Sequence, residues 1–373
     1  MSIHLAMRNL VFFLLLALAV SCSPMEKSED VKMLDFTDLI VDTLYLEKDS
    51  TTRYLGSNFT FFEKEGKKYL STFQSHNLLT YSFPAAKLIS KQPFEIEGPD
   101  GIGSYVSGYF LEDSLIHFLS NGKWITATVE GKVLSRVSLP EAGADRQASN
   151  YSTFPSNPIS KIGNSYLVSD VPYVLKESML GYENWLIKFD PKTSTQEYVK
   201  FNYPDYYSGF MDDSVFGQYS QTYNSEKNEI LISFPATDSI LVISESSQKW
   251  ILAAPMEKMS FLRGTTEERG EFIAFLPNHS SSVHAWVHFD PVSKKTLRQS
   301  VVIPNNQLTK EVGKVPLIKL LILDENYQKE AEVTMPDELR GFNTPKGYYM
   351  NIGYTRSEDE VAFVLIDLSK INR

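Results

Sequence analysis

The chain has 373 residues, with 36 Lys and Arg against 46 Asp and Glu and a formal net charge of −10. So acidic a protein lacks the basic surface that phosphate backbones demand, which excludes nucleic acid as a partner. Its one cysteine excludes an intramolecular disulfide, while 42% apolar and 13% aromatic residues suffice for a large core.

The N-terminus carries a targeting pattern. Arg8 precedes an unbroken apolar run from Leu10 to Val20. Eleven residues rise only ~16 Å as a helix, against ~30 Å of bilayer hydrocarbon, so this is a signal-peptide core and not a membrane span. Small residues and a cysteine follow, Ala19-Val20-Ser21-Cys22. This resembles a bacterial lipobox, although alanine stands at the first position where leucine is commoner. The resemblance implies cleavage after Ser21 and acylation of Cys22, which anchors the protein to a membrane; several acyl chains hold far better than one. Lipidation would also leave no thiol for catalysis or metal binding. The removed segment holds Arg8 and no carboxylate, so the mature chain is one unit more negative.

Ser23, rather than Asp, follows the cysteine, so the common inner-membrane retention signal is missing. The acidic run Glu26-Lys27-Ser28-Glu29-Asp30 resembles the surface-export signal of Bacteroidetes-type lipoproteins, and equally suits a solvated spacer. An outer-membrane lipoprotein is expected, facing the periplasm or the cell surface. The implied divisions are a signal peptide over 1–21, a lipidated cysteine with a flexible tether over 22–36, and one domain over 37–373.

Within that domain one unit recurs: an apolar strand, a polar turn, a second alternating strand, often a proline. Copies begin at Leu78, Trp124, Trp185 and Ile240, and again at Leu320. Trp124 to Val129 turns through Glu130-Gly131-Lys132 into Val133 to Leu139; Trp185 to Phe189 turns at Asp190-Pro191. β-Branched and aromatic runs bounded by Asp, Asn, Gly and Pro are hairpin signals. The first strand of each is apolar almost throughout, as expected of a strand covered on both faces. Long amphipathic helical patterns are missing.

The first four copies are spaced by 46, 61 and 55 residues. That suits four short strands and their turns, so the pattern predicts an all-β propeller of four-stranded blades. A further apolar pair, from Ala285 to Pro304, makes seven blades if counted separately. Too few residues then separate it from Leu317, so it is read as the inner half of the blade ending near Met335, giving six blades with seven as the alternative. The last strand, Val361–Ile366, lacks a following partner. Leu39 to Leu46 alternates like the missing outer strand and is expected to close the ring.

Length, lipobox and hairpin pattern together resemble a family of Bacteroidetes-type lipoproteins with six-bladed propeller folds. That resemblance implies the fold and brings no activity with it.

Chemical motifs are nearly lacking. Nothing matches a nucleophile elbow, a zincin helix, a P-loop or an EF-hand loop, and no cofactor or metal is expected. Gly98, Gly101, Gly103 and Gly108 miss a dinucleotide-binding spacing and read as a turn between blades. His284, Trp286 and His288 fall on one strand face by alternation, as partly buried residues rather than metal ligands. His117 reads as a satisfied core residue, and Asp212-Asp213 and Asp290-Pro291 as turns. The aromatic segment Phe201 to Tyr207 offers candidate ligand contacts at Tyr203, Tyr206 and Tyr207, or else a wedge between blades 3 and 4. The expected function is a lipid-anchored binding or scaffold module for a glycan, peptide or protein. The alternative is a hydrolase or lyase acting on an extracellular polymer at the channel mouth, and a third reading is a mainly structural envelope component.

Overall fold

The computed structural model describes residues 31–372, apart from 54, 56, 57, 113, 144–149, 154, 305–314 and 354–356. The stretch read as a signal peptide, Cys22 and the acidic run lie outside the described residues. Chain order begins with β1 (Lys32–Asp35), the short helix α1 (Phe36–Leu39) and β2 (Ile40–Glu47). Blade 1 comprises β3 (Thr60–Lys64), β4 (Lys67–Gln74), β5 (Asn77–Ser82) and β6 (Leu88–Pro93). Blade 2 comprises β7 (Val106–Glu112), β8 (Leu115–Ser120), β9 (Lys123–Thr128) and β10 (Val133–Ser138). Blade 3 comprises β11 (Ser160–Ile162), β12 (Ser165–Ser169), β13 (Leu186–Asp190) and β14 (Thr195–Val199). Blade 4 comprises β15 (Ser220–Asn224), β16 (Glu229–Ser233), β17 (Ser239–Ile243) and β18 (Gln248–Leu252).

A separate hairpin, β19 (Thr265–Arg269) and β20 (Phe272–Leu276), precedes blade 5. That blade comprises β21 (Val283–Asp290), β22 (Lys295–Val302), β23 (Leu317–Leu323) and β24 (Lys329–Met335). The strands at 283–302 are therefore the inner half of this blade, and the count is six, not seven. Blade 6 comprises β25 (Gly341–Thr344), β26 (Gly347–Asn351) and β27 (Glu360–Ile366), completed by β2. The closing pair is antiparallel, with Thr43 opposite Val364, Leu44 opposite Phe363 and Leu46 opposite Val361.

Burial follows from position in the blade. In β17, Ile240 to Ile243 are all buried, and in β23 Leu320 to Leu323 are fully so, because neighbouring blades cover both faces. Outer strands such as β10 and β18 are largely solvent-facing. Among the described residues, buried apolar side chains fall into six clusters, each bridging two adjacent blades. Leu78 and Phe118 join blades 1 and 2, Trp124 and Phe189 join 2 and 3, and Trp185 and Phe234 join 3 and 4. Leu231 and Leu323 join blades 4 and 5, Trp286 and Met350 join 5 and 6, and Leu44 and Leu70 join 6 and 1.

One boundary differs from the sequence expectation. β1, in the stretch read as tether, pairs in parallel with β24, Lys32 opposite Ala331 and Asp35 opposite Thr334. Phe36 and Leu39 of α1 are buried beside blades 5 and 6. Ordered structure thus begins before residue 37, because these two apolar side chains find a seam to fill. Among the described residues, no helix is long and apolar enough to cross a membrane.

Candidate functional site

Loops leading into the inner strands gather at one end of the ring axis, where they enclose a cavity of about 630 Å³. Tyr105 comes from the approach to blade 2, Asn157 from that to blade 3, Gln218 from that to blade 4, and Glu338 and Arg340 from that to blade 6. Tyr173, on the loop between β12 and β13, adds a second aromatic wall. Tyr105 and Tyr173 are each 62% exposed, an unusual state for large rings and one suited to ligand contact. Among the described residues, Glu338 and Arg340 are the only acidic and basic side chains in the lining. Burial, aided by Asp337 and opposed by Arg340, raises the Glu338 carboxyl above its usual range. Asn157 is buried, gives its amide to the Tyr219 carbonyl at 2.8 Å, and leaves Oδ1 without a hydrogen-bond partner. The mouth therefore offers rings, amides and one charge of each sign. Among the described residues, Glu338 is the one carboxylate in the lining, where a glycosidase pair needs two.

The axial histidines do not form a metal pair. Alternation places His284, Trp286 and His288 on one face, but a bulge at Ala285 shifts the register between His284–Ser300 and Trp286–Gln299. His284 consequently points to blade 4, with Nε2 3.3 Å from Asp238 Oδ1. His288 points to blade 6, stacked on Tyr348 at 4.3 Å with Nε2 3.2 Å from Asn343 Oδ1. Both histidines are buried rather than partly buried.

Ser300 Oγ lies 2.8 Å from His284 Nδ1, so Ser300, His284 and Asp238 follow one another as in a hydrolase triad. Ser300 sits mid-strand with no exposed surface, so no substrate carbonyl can reach it. Burial, reinforced by Arg298, pushes His284 down to about 3 and keeps it neutral. A carboxylate only accepts, so the Nε2–H donates to Asp238 and the serine hydroxyl donates to Nδ1.

His117 is a satisfied core residue. Its Nδ1 accepts from Trp124 Nε1 at 3.2 Å and lies 3.0 Å from Thr126 Oγ1. Asp213 Oδ1 accepts from the amides of Val215 and Phe216, and Asp290 from those of Val292 and Ser293. Both are turn chemistry. Gly98, Gly101 and Gly103 lie in the interblade turn between β6 and β7, with Gly98 and Gly103 at φ of 90° and 89°, whereas Gly108 lies within β7, opposite Leu119.

The aromatic segment splits its candidates. Tyr207 has no exposed surface; it wedges between blades 3 and 4, its Oη accepting from Ala236 N at 2.8 Å. Tyr203 is buried, donates to the Gly217 carbonyl at 2.6 Å, and reaches the floor of a second cavity. Tyr206 is 51% exposed beside that cavity, its Oη 2.6 Å from Thr237 Oγ1. This cleft measures about 860 Å³ and lies between the ends of blades 3 and 4. Trp250, on its far wall, is 47% exposed. Sequence reading passed over Trp250 because β18 looks like any outer strand.

It also passed over Arg298. This side chain is fully buried in the seam between blades 4 and 5. Nε donates to Ser233 Oγ at 3.0 Å, Nη1 to the Ala253 carbonyl at 2.7 Å, and Nη2 to the Thr237 carbonyl at 2.6 Å. Burial lowers its pKa to about 9, so it remains charged at neutral pH. In the sequence it is one of two charged residues in the strand Lys295–Val302, and only the fold shows that every position there is buried.

A family model described as Domain of unknown function (DUF4221) matches residues 28–296. A solved member of that family from Bacteroides vulgatus superposes with a TM-score of 0.65 at 14% identity, covering 88% of this chain and 97% of its own. A Bacteroides fragilis protein, named as an inferred exported protein, superposes with a TM-score of 0.55 at 10% identity, covering 90% of this chain and 99% of its own. At such identities the likeness speaks for fold alone. No curated protein matches the chain.

Proposed function

Because the chain belongs to the DUF4221 family and folds as a six-bladed propeller, we propose that it is a lipid-anchored binding module of the cell envelope. Its ligand is received at the axial mouth. The observation that carries this reading is the mouth itself: two largely exposed tyrosines and several amides, with Glu338 and Arg340 as the only acidic and basic side chains among the described residues. Rigid rings on loops held by a closed scaffold lose little freedom on binding. Acid–base chemistry would need groups that the described residues of the lining do not bring together. The anchor rests on the lipobox-like Ala19-Val20-Ser21-Cys22, and the export implied by the Bacteroides fragilis relative's name supports the same compartment.

The anchor is tested by fractionating cells that carry the wild type or Cys22→Ser. The wild type should incorporate labelled fatty acid and sediment with membranes, and the variant should do neither. A wild type free of acyl label would refute the anchor. Binding is tested by thermal shift of the chain from residue 22 carrying Cys22→Ser, against glycans, peptides and divalent metals. A ligand at about 100 times its Kd adds ~2.7 kcal/mol, a Tm rise of ~2–4 °C or slightly less for a domain this large. Tyr105→Ala with Tyr173→Ala should abolish that rise while leaving the unliganded Tm nearly unchanged. Release of reducing ends or unsaturated sugars from a polymer would establish the hydrolase or lyase reading instead.

A further inference from the structure

The cleft between blades 3 and 4 is built differently from the mouth. A chain of four rings in contact links its two walls from behind: Tyr206 to Tyr207 at 5.5 Å, Tyr207 to Phe234 at 5.8 Å, and Phe234 to Trp250 at 5.8 Å. The two inner rings are buried behind the lining and the two terminal ones are about half exposed, so the cleft presents two open aromatic faces braced from within. Between them the lining carries Asn202, Asp205, Asp238 and Gln248.

The polar wall is held in place from behind. Asp238 receives the Nε2–H of buried His284, which is itself fixed by Ser300. Arg298 binds the Thr237 carbonyl at 2.6 Å and the Ala253 carbonyl at 2.7 Å, and so pins the loop that carries Asp238. Gln248 Nε2 donates to the Lys200 carbonyl at 2.7 Å, tying the opposite wall. The Asp238 side chain stays 52% exposed, with lone pairs left over for a ligand.

We propose that this cleft is a binding site for a neutral oligosaccharide, distinct from the axial mouth. Pyranose rings present apolar C–H faces that stack on exposed Trp and Tyr, and equatorial hydroxyls that pair with carboxylates and amides. Trp250 and Tyr206 supply the faces, and Asp238, Asn202 and Gln248 supply the hydroxyl partners. The volume of about 860 Å³ lies within the ~300–1,000 Å³ of small-molecule sites and exceeds what one ammonium group needs. Lys200 is paired with Glu183, and the exposed Asp205 and Asp238 outweigh the single buried charge of Arg298 behind them, so the cleft is net negative. Anionic sugars are therefore repelled.

The chain provides its own reporter. Of its four tryptophans, Trp124, Trp185 and Trp286 are at most 2% exposed, so a ligand in the cleft perturbs the emission of Trp250. The chain from residue 22 carrying Cys22→Ser is titrated with cellotetraose, xylotetraose, maltotetraose and mannotetraose, and separately with tetragalacturonate, tetramethylammonium and an unrelated tetrapeptide. At least one neutral sugar should shift the emission saturably, and the other three probes should not. By calorimetry Trp250→Ala and Asp238→Asn should each weaken that sugar at least about tenfold, whereas Tyr105→Ala with Tyr173→Ala should leave it unchanged. Tyr206→Ala, at a half-exposed position, should weaken binding while the Tm stays nearly constant. The proposal is overturned if no neutral sugar perturbs the emission at millimolar concentration. It is equally overturned if tetramethylammonium, tetragalacturonate or the peptide binds there instead, or if sugar binding survives Trp250→Ala.

Discussion

Arg298 carries a positive charge into a seam where it is held by carbonyl and hydroxyl oxygens of blade 4, with Asp238 acting on it through its charge. Removing it strands those acceptors away from water, at about 1–3 kcal/mol for each unsatisfied group. Arg298→Met should therefore cost ~3 kcal/mol or more by denaturant unfolding, and Arg298→Lys should restore only part, since an ammonium cannot reproduce the forked geometry. A loss under ~1 kcal/mol would show that the cage is dispensable. The buried histidines make a second prediction at this scale. Burial holds His117 at about 4 and His284 at about 3, below the ordinary 6.5. The unfolded chain then binds more protons than the folded one below pH 6.5, so their contribution is complete above that pH and is lost as acid approaches the folded values. For His117 the loss is on the order of 3 kcal/mol. Tm should fall steeply from pH 6.5 to pH 4, and His117→Gln should flatten the curve.

At the scale of elements, ring closure depends on β2. Leu44 and Leu46 bury completely or nearly so against blade 1, and β2 covers the free edge of β27. A chain lacking residues 37–47 should show no cooperative transition. A chain lacking only β1, whose side chains are mostly exposed, should melt close to the intact protein. If the first truncation unfolded cooperatively near the native temperature, closure by β2 would be wrong. Gly341, in the inner strand of blade 6, is set by close approach: a Cβ there would lie 1.7 Å from the Tyr349 carbonyl oxygen. Gly341→Ala forces blade 6 apart and should cost ~1–3 kcal/mol in denaturant unfolding, the usual range for overpacking.

For the whole molecule, six apolar clusters each span two blades, so no blade buries its faces alone. Opening any seam exposes two of them, and the propeller should unfold in one transition, with calorimetric and van't Hoff enthalpies in agreement. Two separated transitions would mean that part of the ring folds independently. The same architecture explains why both cavities lie at seams and ends. The closed ring supplies rigidity, and loops from separate blades supply the groups.

Much of this was legible in the chain. Strands covered on both faces must be apolar throughout, so Ile240–Ile243 and Leu320–Leu323 announce middle strands wherever they occur. Their spacing implies four-stranded blades, and the unpartnered Val361–Ile366 calls for a strand from the other end. These are local rules of periodicity, which a sequence carries directly. The tertiary structure alone decided the rest. A one-residue bulge at Ala285 turned His284 away from His288, because the side-chain period of a strand is two and any slip reverses the face. Tyr203, Tyr206 and Tyr207 lie within five residues, yet their exposure ranges from none to half. Trp250 meets Tyr206 across a cleft, and Arg298 holds the loop between them, although these residues stand far apart in the chain. Such contacts are set by how blades pack against each other, and no local spacing encodes which side chains two seams will bring together.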